Sequence, residues 1–454
     1  MSEQQQRSVA VIGAGLAGSS AALGFLNAGF NVTLYSDRAR RGLRDDVPPT
    51  GSAVYFGKSR EADARIIEDL YGEETLTTGL STRLHTGYGD ERGEILEFDP
   101  EFGYFAQAVD VRLRAADRID RFVQRGGVFE VRTVTVDELD AIAGKHALTL
   151  VATGKGGLVS LFPVDEERTV YRTPQRSLLL VTLQAKGDSP DFGYRTQNGR
   201  VHNLFNLHTD FGEAWLGPFL HKDAGPSWSF LGFAKPGSPW EERFTRAIDV
   251  HSARNVVVDF YREYFPNDAP EVEKLEAIVS DPHSWLRGAV TPTVRKAVGT
   301  TSSGHAVAAI GDAAIAFDPL AGQGAQNAIV QVAALVAAAA SHKGEFSADW
   351  LGEQFDTHWE ERGNAAAEVT RLFLGDPKYA AHAELLFPAA AVSERVAAAL
   401  FGFLSEPDRL TALKDRDDVL GYISEIAGEP SGDVLSRFAP SSGFTASPAA
   451  AARV

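Results

Sequence analysis

Residues 9–12 and the glycine run that follows them, Gly13-Ala14-Gly15-Leu16-Ala17-Gly18, constrain this chain more than any other feature. Val-Ala-Val-Ile reads as a short buried strand, the Ala/Leu-rich run to about residue 28 as a helix, and residues 31–35 as a second strand. A strand–helix–strand unit of this length with glycine at those three places is the dinucleotide-binding fingerprint. Gly13 permits the tight turn after the strand. Gly15 lets backbone approach a pyrophosphate, and Gly18 lets helix and strand pack closely. The helix N-terminus then offers unpaired N–H groups and a partial positive charge to phosphates. Such folds usually carry an acid at the end of the second strand. Here that place is Ser36, and Asp37 and Arg38 follow. Asp37 can reach a ribose and Arg38 an adenylate; the alternative is a pair of solvated loop charges.

Two later segments extend the pattern. Residues 148–151 read as a buried strand ending in Ala152-Thr153-Gly154, small enough to pack beside a dinucleotide. Residues 306–310 read as another strand, ending in Gly311-Asp312-Ala313-Ala314 and then Asp318-Pro319-Leu320-Ala321-Gly322-Gln323-Gly324-Ala325. Asp312 is suited to accept from a ribityl hydroxyl. Pro319 fixes a turn, and Gly322 and Gly324 let backbone approach a flat ring. A long Ala-rich helix follows from about residue 324, with its positive end toward that ring.

Between and beyond these motifs the chain changes character. Residues 37–44, with four arginines, read as a loop, and residues 83–103 as turn-rich. Residues 112–125 read as a helix stopped by Gly126-Gly127, and residues 128–136 as a strand. Residues 173–233 alternate strand-like runs with turns, which predicts a mainly antiparallel β-domain. Residues 240–265 and 349–427 read as helical. The expected architecture is α/β: a Rossmann-type FAD-binding domain with an inserted β-sheet substrate domain and C-terminal helices. Its segments are 1–172, 173–285 (β-rich), 286–345 (the return), 346–440 (helical) and a disordered tail, 441–454.

Composition narrows the functional classes. The net charge of −17 over 454 residues argues against nucleic acid and anionic membrane partners. Without cysteine there is no disulfide, thiolate metal site or catalytic thiol. His202 and His208 lie six apart with no Glu-x-x-His companion, so they read as surface or packing residues and no metal is expected. His283, Trp285 and Arg287 read as core or surface. Of Phe205, Trp215, Phe219, Trp228 and Phe230, most are expected in the core, with one or two lining an apolar pocket. The start of the chain is polar and shows no secretory signal. The apolar run 328–340 is too short to span a bilayer. The expected compartment is the cytoplasm.

Gly-Asp followed by Pro-x-x-Gly-x-Gly resembles the flavin-ribityl motif of the aromatic hydroxylase superfamily. Within it the chain is most similar to the styrene and indole monooxygenases. The matching stretches are Tyr35-Ser36-Asp37-Arg38 with Gly42-Leu43-Arg44, Ala108-Val109-Asp110-Val111-Arg112-Leu113, Ala152-Thr153-Gly154-Lys155, Pro174-Gln175-Arg176, Asp318 through Ala325, and Arg437-Phe438-Ala439-Pro440. The resemblance implies that Gly13, Gly15, Gly18, Arg112 and Asp312 hold FAD. It also implies that Arg44 lies beside the flavin with Val47 in the same pocket, and that Pro319, Leu320, Ala321 and Gly322 line its face. Thr153, Gly154, Gly324 and Ala325 complete the implied cofactor set.

The implied reaction is that of the oxygenase half of a two-component system. FADH2 from a transient NAD(P)H-dependent flavin reductase reacts with O2 to a flavin hydroperoxide, which oxygenates a small neutral aromatic. A homodimer is compatible with this reading. Two departures stand near the implied flavin: Asp45-Asp46-Val47 where apolar residues and an Asn are usual, and Gln326-Asn327 where Asn directly follows the alanine. There is no second Gly-x-Gly-x-x-Gly, and Gly154-Lys155-Gly156-Gly157 replaces the Asp-Gly segment of hydroxylases that use NAD(P)H directly. Two other readings stay open: a single-component NAD(P)H aromatic hydroxylase, and a non-catalytic flavin-binding protein.

Overall fold

The computed structural model describes residues 7–51, 54–87, 89–154, 156–195 and 203–440. The tail expected to be disordered, Lys155 and His202 lie outside the described residues. The first part of the chain runs β1 (Ser8–Ile12), α1 (Leu16–Asn27), β2 (Asn31–Ser36), α2 (Arg40–Asp45), β3 (Val54–Tyr55), α3 (Gly57–Asp63), β4 (Leu76–Thr86), β5 (Gly93–Phe98), β6 (Glu101–Ala108), α4 (Val111–Gln124), β7 (Val128–Val131), α5 (Val136–Ala143) and β8 (Leu148–Val151). The middle runs β9 (Ser177–Ala185), β10 (Asn203–His208), β11 (Gly212–His221), β12 (Gly225–Ala234), α6 (Pro239–Phe244), α7 (Val250–Tyr264), β13 (Leu275–Ala277), β14 (Trp285–Ala289), β15 (Thr293–Val294), β16 (Val298–Thr300), β17 (Ala306–Ala309) and β18 (Ile315–Ala316). Then come α8 (Gln323–Ser341), α9 (Ala348–His358), α10 (Asn364–Phe373), α11 (Ala380–Val392) and α12 (Glu394–Ser405), with shorter helices to residue 436.

Two large sheets organise these elements. The first has the order β16-β17-β8-β1-β2-β7. Its strands pair in parallel except β16 with β17. Because β1 is central, its two faces are both covered. Val9 and Val11 pack with Leu23 and Phe25 of α1 and Ile329 and Val332 of α8. Ala10 and Ile12 pack with Leu139 and Ile142 of α5. This is why the strand reads as an unbroken apolar run rather than an alternating one.

The second sheet has ten strands, in the path β13-β9-β12-β11-β10-β4-β6-β3 with β14 on β9 and β5 on β4. Its alternation is regular. Leu179, Val181 and Leu183 face α7, whose Val257, Phe260 and Tyr261 cover them. Leu178, Phe205, Trp215, Leu231 and Phe233 face the other way, toward Leu320, Ala321 and the C-terminal helices.

The structure departs from the sequence expectations in several places. Residues 40–45 are a helix, not loop. Arginine has good helix propensity, and here each arginine finds a carboxylate: Arg40 with Asp120 of α4, Arg41 with Asp45, Arg44 with Asp223. Residues 83–103 hold the end of β4, all of β5 and the start of β6, with glycines of positive φ at 87 and 89 between β4 and β5. The β-rich layer is therefore wider than the span 173–285. Its middle is closed by a parallel pairing of β10 with β4 across more than a hundred residues of chain. The strand expected over 128–136 stops at Val131, and a capping box between Thr135 and Glu138 starts α5. The helical region 240–265 is two helices, the second begun by the Asp249 cap.

α8 is longer than the apolar run read from sequence. By length and composition it could cross a membrane, yet half of that stretch is buried inside the protein. It packs on α1 and α3, and Gln326, Asn327 and Gln331 are buried along it.

The tightest point of the first sheet is a prediction in itself. A Cβ at residue 18 would stand 1.8 Å from the Gly13 carbonyl oxygen and 3.1 Å from the Ala152 Cβ. Gly18→Ala should therefore force α1 off the strand ends and cost about 1–3 kcal/mol or more. Thermal unfolding of the variant against the parent checks this; an unchanged Tm would contradict the packing.

Candidate functional site

Three strand ends meet at one edge of the first sheet. After β1 the chain turns at Gly13, with φ of 102°, and its N–H donates to the Tyr35 carbonyl at 2.9 Å. A Cβ there would strike the Ala152 carbonyl oxygen at 2.6 Å, so the first turn and the end of β8 touch. Beyond β17, Gly311 has φ of 60°, and a Cβ on it would meet Ala17 of α1 at 2.8 Å. The three glycine-bearing segments of the sequence thus converge on the N-terminus of α1. Asp312 is exposed there, and the Gly324 position lies 3.9 Å from its Oδ1.

The glycines are not equivalent. Gly13, Gly18 and Gly311 are required by protein atoms. Gly15 and Gly154 are not: a Cβ on either would meet nothing within 4 Å. Gly15 is exposed and starts α1 with no side-chain cap. The Thr153 Oγ1 beside them is buried without a hydrogen-bond partner. An open cradle of backbone at a helix N-terminus with an orphaned hydroxyl suits a pyrophosphate-containing ligand. A dinucleotide such as FAD therefore fits the residues present. Asp37 and Arg38 stand at the end of β2 as an exposed pair 3.3 Å apart.

The segment before α8 is equally defined. Asp318 accepts from the Leu320 N–H at 3.0 Å, Gly322 closes the turn with φ of 62°, and α8 begins without a side-chain cap. The second Asp318 oxygen is buried with no partner, and burial pushes this carboxyl up to about 6. Leu320 and Ala321 pack in the same cluster as Phe205 and Phe233, with Leu178, Trp215 and Leu231 half-buried against it. Trp215 lies over its own strand. A Cβ at Gly217 would meet the indole at 2.5 Å, so the missing side chain at 217 gives the ring its place. Phe219, Trp228 and Phe230 are buried.

Other expected residues have partners within the protein. Arg112 has its guanidinium engaged by Asp110 at 2.7 and 2.9 Å, by Asp281 at 2.7 Å and by the Val47 carbonyl at 3.1 Å. It joins α4 to the second sheet's return segment. Arg44 donates to Asp45, Asp223 and the Lys222 carbonyl. His221 Nε2 bonds Asp281 at 3.0 Å, and its Nδ1 accepts from the Asp223 and Ala224 N–H groups. That pattern makes Nε2 the protonated nitrogen. His221, Arg112 and Lys222 hold the Asp281 carboxyl well below the usual range against the opposing effect of its burial. None of Asp281, His221 and Lys222 is marked by a local motif; they meet only through the fold.

The two departures near the implied flavin are also structural. Asp45 pairs with Arg44 and Lys222. Gln326 is fully buried, accepts from Phe56 N–H and Ser59 Oγ, and donates to the Gly322 carbonyl. Asn327 accepts from His358 Nε2 at 3.0 Å. Both side chains tie α8 to its neighbours rather than facing outward. His208 is buried against Phe211, with Nε2 bonded to the Gly87 carbonyl, in keeping with a packing role. The His283 N–H caps Asp281, and Trp285 packs against the α7 cluster. Arg287 donates to the Thr245 carbonyl and borders an open cleft of about 770 Å³ with Ser177, Leu178 and Phe244.

Comparison with known proteins agrees with this geometry. Residues 154–270 match the family described as "Styrene monooxygenase A putative substrate binding domain". Styrene monooxygenase StyA of Pseudomonas fluorescens is 23% identical over 228 residues, 49% of this chain and 52% of that protein. StyA of a Pseudomonas species is 22% identical over the same shares. The match thus spans about half the length of these curated relatives. Among solved structures, the halogenase PltM superposes with a TM-score of 0.58 at 11% identity, covering 95% of each chain. A flavoprotein/dehydrogenase from Cytophaga hutchinsonii gives 0.58 at 12% identity, over 94% of this chain and 98% of that one. The fold is the Rossmann-type flavoprotein fold with an inserted sheet and C-terminal helices, and over about half its length the chain is similar to the styrene monooxygenases.

Two predictions follow from the geometry. A Cβ at Gly15 meets nothing within 4 Å, so the Tm of Gly15→Val should fall by no more than about 4 °C, while FAD affinity should drop at least about tenfold, ~1.4 kcal/mol. Equal FAD affinity, read by fluorescence titration, would contradict the cradle. Asp281→Asn breaks a buried pair and should cost about 3–5 kcal/mol at pH 7. A carboxyl held low when folded stabilises fully above its unfolded value near 3.9, and that contribution fades as pH falls further. The gap between parent and variant in denaturant unfolding should therefore shrink below about pH 4; a gap that is constant with pH would contradict the assignment.

Proposed function

We propose that this chain is the oxygenase component of a two-component flavoprotein monooxygenase. It would epoxidise or hydroxylate a small neutral aromatic of the styrene or indole type, with reduced FAD from a separate NAD(P)H-dependent flavin reductase, in the cytoplasm. The observation that carries this reading is the similarity of residues 154–270 to the styrene monooxygenase A domain, on a sheet whose apolar face packs against the Leu320–Ala321 turn.

In this reading Gly13, Gly15, Gly18, Thr153 and Gly154 hold the pyrophosphate at the α1 N-terminus, with Asp37 and Arg38 toward the adenylate. Asp312 takes the ribityl chain. Pro319 to Gly322, Gly324 and Ala325 face the ring, with Arg44 and Val47 across from them. Bound and reduced, FAD supplies two electrons to O2, one oxygen atom going to the substrate and the other to water. The protein's own tasks are binding, orientation and exclusion of water. Leu178, Trp215 and Leu231 give an apolar, partly aromatic floor that suits a neutral planar substrate. No strong acid or base is needed to oxygenate an electron-rich double bond by this route.

The test separates this reading from a single-component hydroxylase. Anaerobic NADH or NADPH should bleach protein-bound FAD only very slowly, with or without styrene or indole present. Adding an unrelated flavin reductase with free FAD and air should then yield styrene oxide or indigo. Rapid stoichiometric bleaching by NAD(P)H with substrate bound would move the chain to the single-component class. Turnover of a charged phenolic acid alone would overturn the substrate class.

A further inference from the structure

The two edges of the first sheet differ. β16, at one edge, is three residues long and closely backed: a Cβ at Gly299 would stand 2.9 Å from the Leu161 carbonyl oxygen and 3.1 Å from the Phe162 ring. β7, at the other edge, pairs only with β2 among the described residues. Its apolar side chains face solvent. Val128 is 50% exposed and Val131 57%, and Val123, on the last turn of the adjoining α4, is 49% exposed. Soluble proteins blunt open edges with lysine, proline, a bulge or a covering element. β7 has no lysine or proline, and its ladder with β2 keeps a regular register.

The chain after β7 has the same character. Residues 128–136 read Val-Phe-Glu-Val-Arg-Thr-Val-Thr-Val, a run of β-branched residues that predicts one long strand. Only the first four form one. β2 ends at Ser36, so residues 133–135 have no strand beside them to continue the ladder. Unused strand propensity therefore lies at an open edge.

The edge is also complementary to itself. The Arg132 N–H donates to the Ser36 carbonyl at 2.6 Å. Main-chain groups alternate in direction along a strand, so residues 130 and 132 turn theirs to β2, and Phe129 and Val131 turn theirs outward, as Thr133 does once the strand is continued. A second copy running antiparallel, with a two-fold axis at Val131, meets these groups in register. Phe129 exchanges hydrogen bonds with Thr133 of the partner subunit. Glu130 then stands opposite Arg132 of the partner subunit, on both sides of the axis, at the closer non-hydrogen-bonded positions. Both side chains are exposed, and Arg132 already draws Glu138 toward it. An axis at residue 130 or 132 would instead set Glu130 or Arg132 against its own copy, which like charge disfavours.

We infer that β7 is a dimerisation edge: two copies of this chain pair antiparallel about Val131 and join their first sheets into one continuous sheet. The interface is isologous, each edge serving as the other's partner. The pairing satisfies the outward main-chain groups, covers Val128 and Val131, and gives residues 132–135 the neighbour they lack.

The test uses the full-length protein. Sedimentation equilibrium should show a dimer. Val131→Pro removes an N–H that faces outward and none that bonds β2, so the fold should stand while the dimer weakens at least about tenfold. Should that variant not fold, Val131→Lys, which sets two like charges at the axis, gives the same reading. The chain has no cysteine, so a single introduced thiol reports its own neighbour. Val131→Cys should close a disulfide between copies on mild oxidation, because hydrogen-bonded residues opposite one another lie about 5.5 Å apart at Cα. Ile248→Cys, at a position 74% exposed between α6 and α7, should not. A monomeric parent, a dimer that Val131→Pro leaves intact, or crosslinking as fast in Ile248→Cys as in Val131→Cys would each overturn the inference. So would pairing of β7 with an added flavin reductase and not with a second copy.

Discussion

The structure depends on the close approach of the α1 N-terminus to the ends of β1, β8 and β17. That approach is possible only where side chains are missing. Gly18 sits against the Gly13 carbonyl, Gly13 against Ala152, and Gly311 against Ala17. Any Cβ at these points would separate elements that share one edge of the sheet. Once they are drawn together, α1 begins without a side-chain cap at Gly15, space is open at Gly15 and Gly154, and the Thr153 hydroxyl next to Gly154 in the chain is buried without a partner. The same constraint that packs the sheet therefore builds the cradle.

Around this point, charge is arranged for two separate purposes. One network, Arg44, Asp45, Asp110, Arg112, His221, Lys222, Asp223 and Asp281, holds α2 and α4 against the end of β11 and its turn. Its carboxylates and cations nearly balance, and its donors are spent within the protein. The other, around α8, sets Arg362 and the helix N-terminus near the carboxyls of Asp312 and Asp318. Arg362 and the α8 N-terminus are of one sign, and Asp318, with one oxygen unpartnered, is pushed toward its neutral form by burial. The first network is satisfied within the protein; the Asp318–Gly322 segment keeps one carboxylate oxygen without a partner.

The sequence made the local parts legible. Glycine spacing after a buried strand announced α1, the end of β8 and the Gly311–Gly324 segment, because each depends on residues close in the chain. The alternating runs over 177–234 likewise announced the β-layer. What sequence could not reveal was long-range. The parallel pairing of β10 with β4 brings residues 76–108 into the second sheet and has no local signature. The bond of Arg112 to Asp281, 169 residues away, likewise has no local signature. α2 was mistaken for loop because its arginines are satisfied by carboxylates on α4 and beyond β11. Arg362 carried no signal at all, since its burial without an ion-paired carboxylate among the described residues shows only in the fold. A buried cation without a carboxylate can be recognised only once the fold shows what surrounds it.

The central claim is that the three converging segments together hold a complete dinucleotide, adenylate as well as ring. The most direct measurement is an equilibrium titration of the protein with FAD, FMN and ADP. The account predicts one FAD per chain, FMN weaker by at least about tenfold, ~1.4 kcal/mol, for want of the adenylate half, and competition of ADP with FAD. FMN bound as tightly as FAD, or no flavin bound at all, would contradict it.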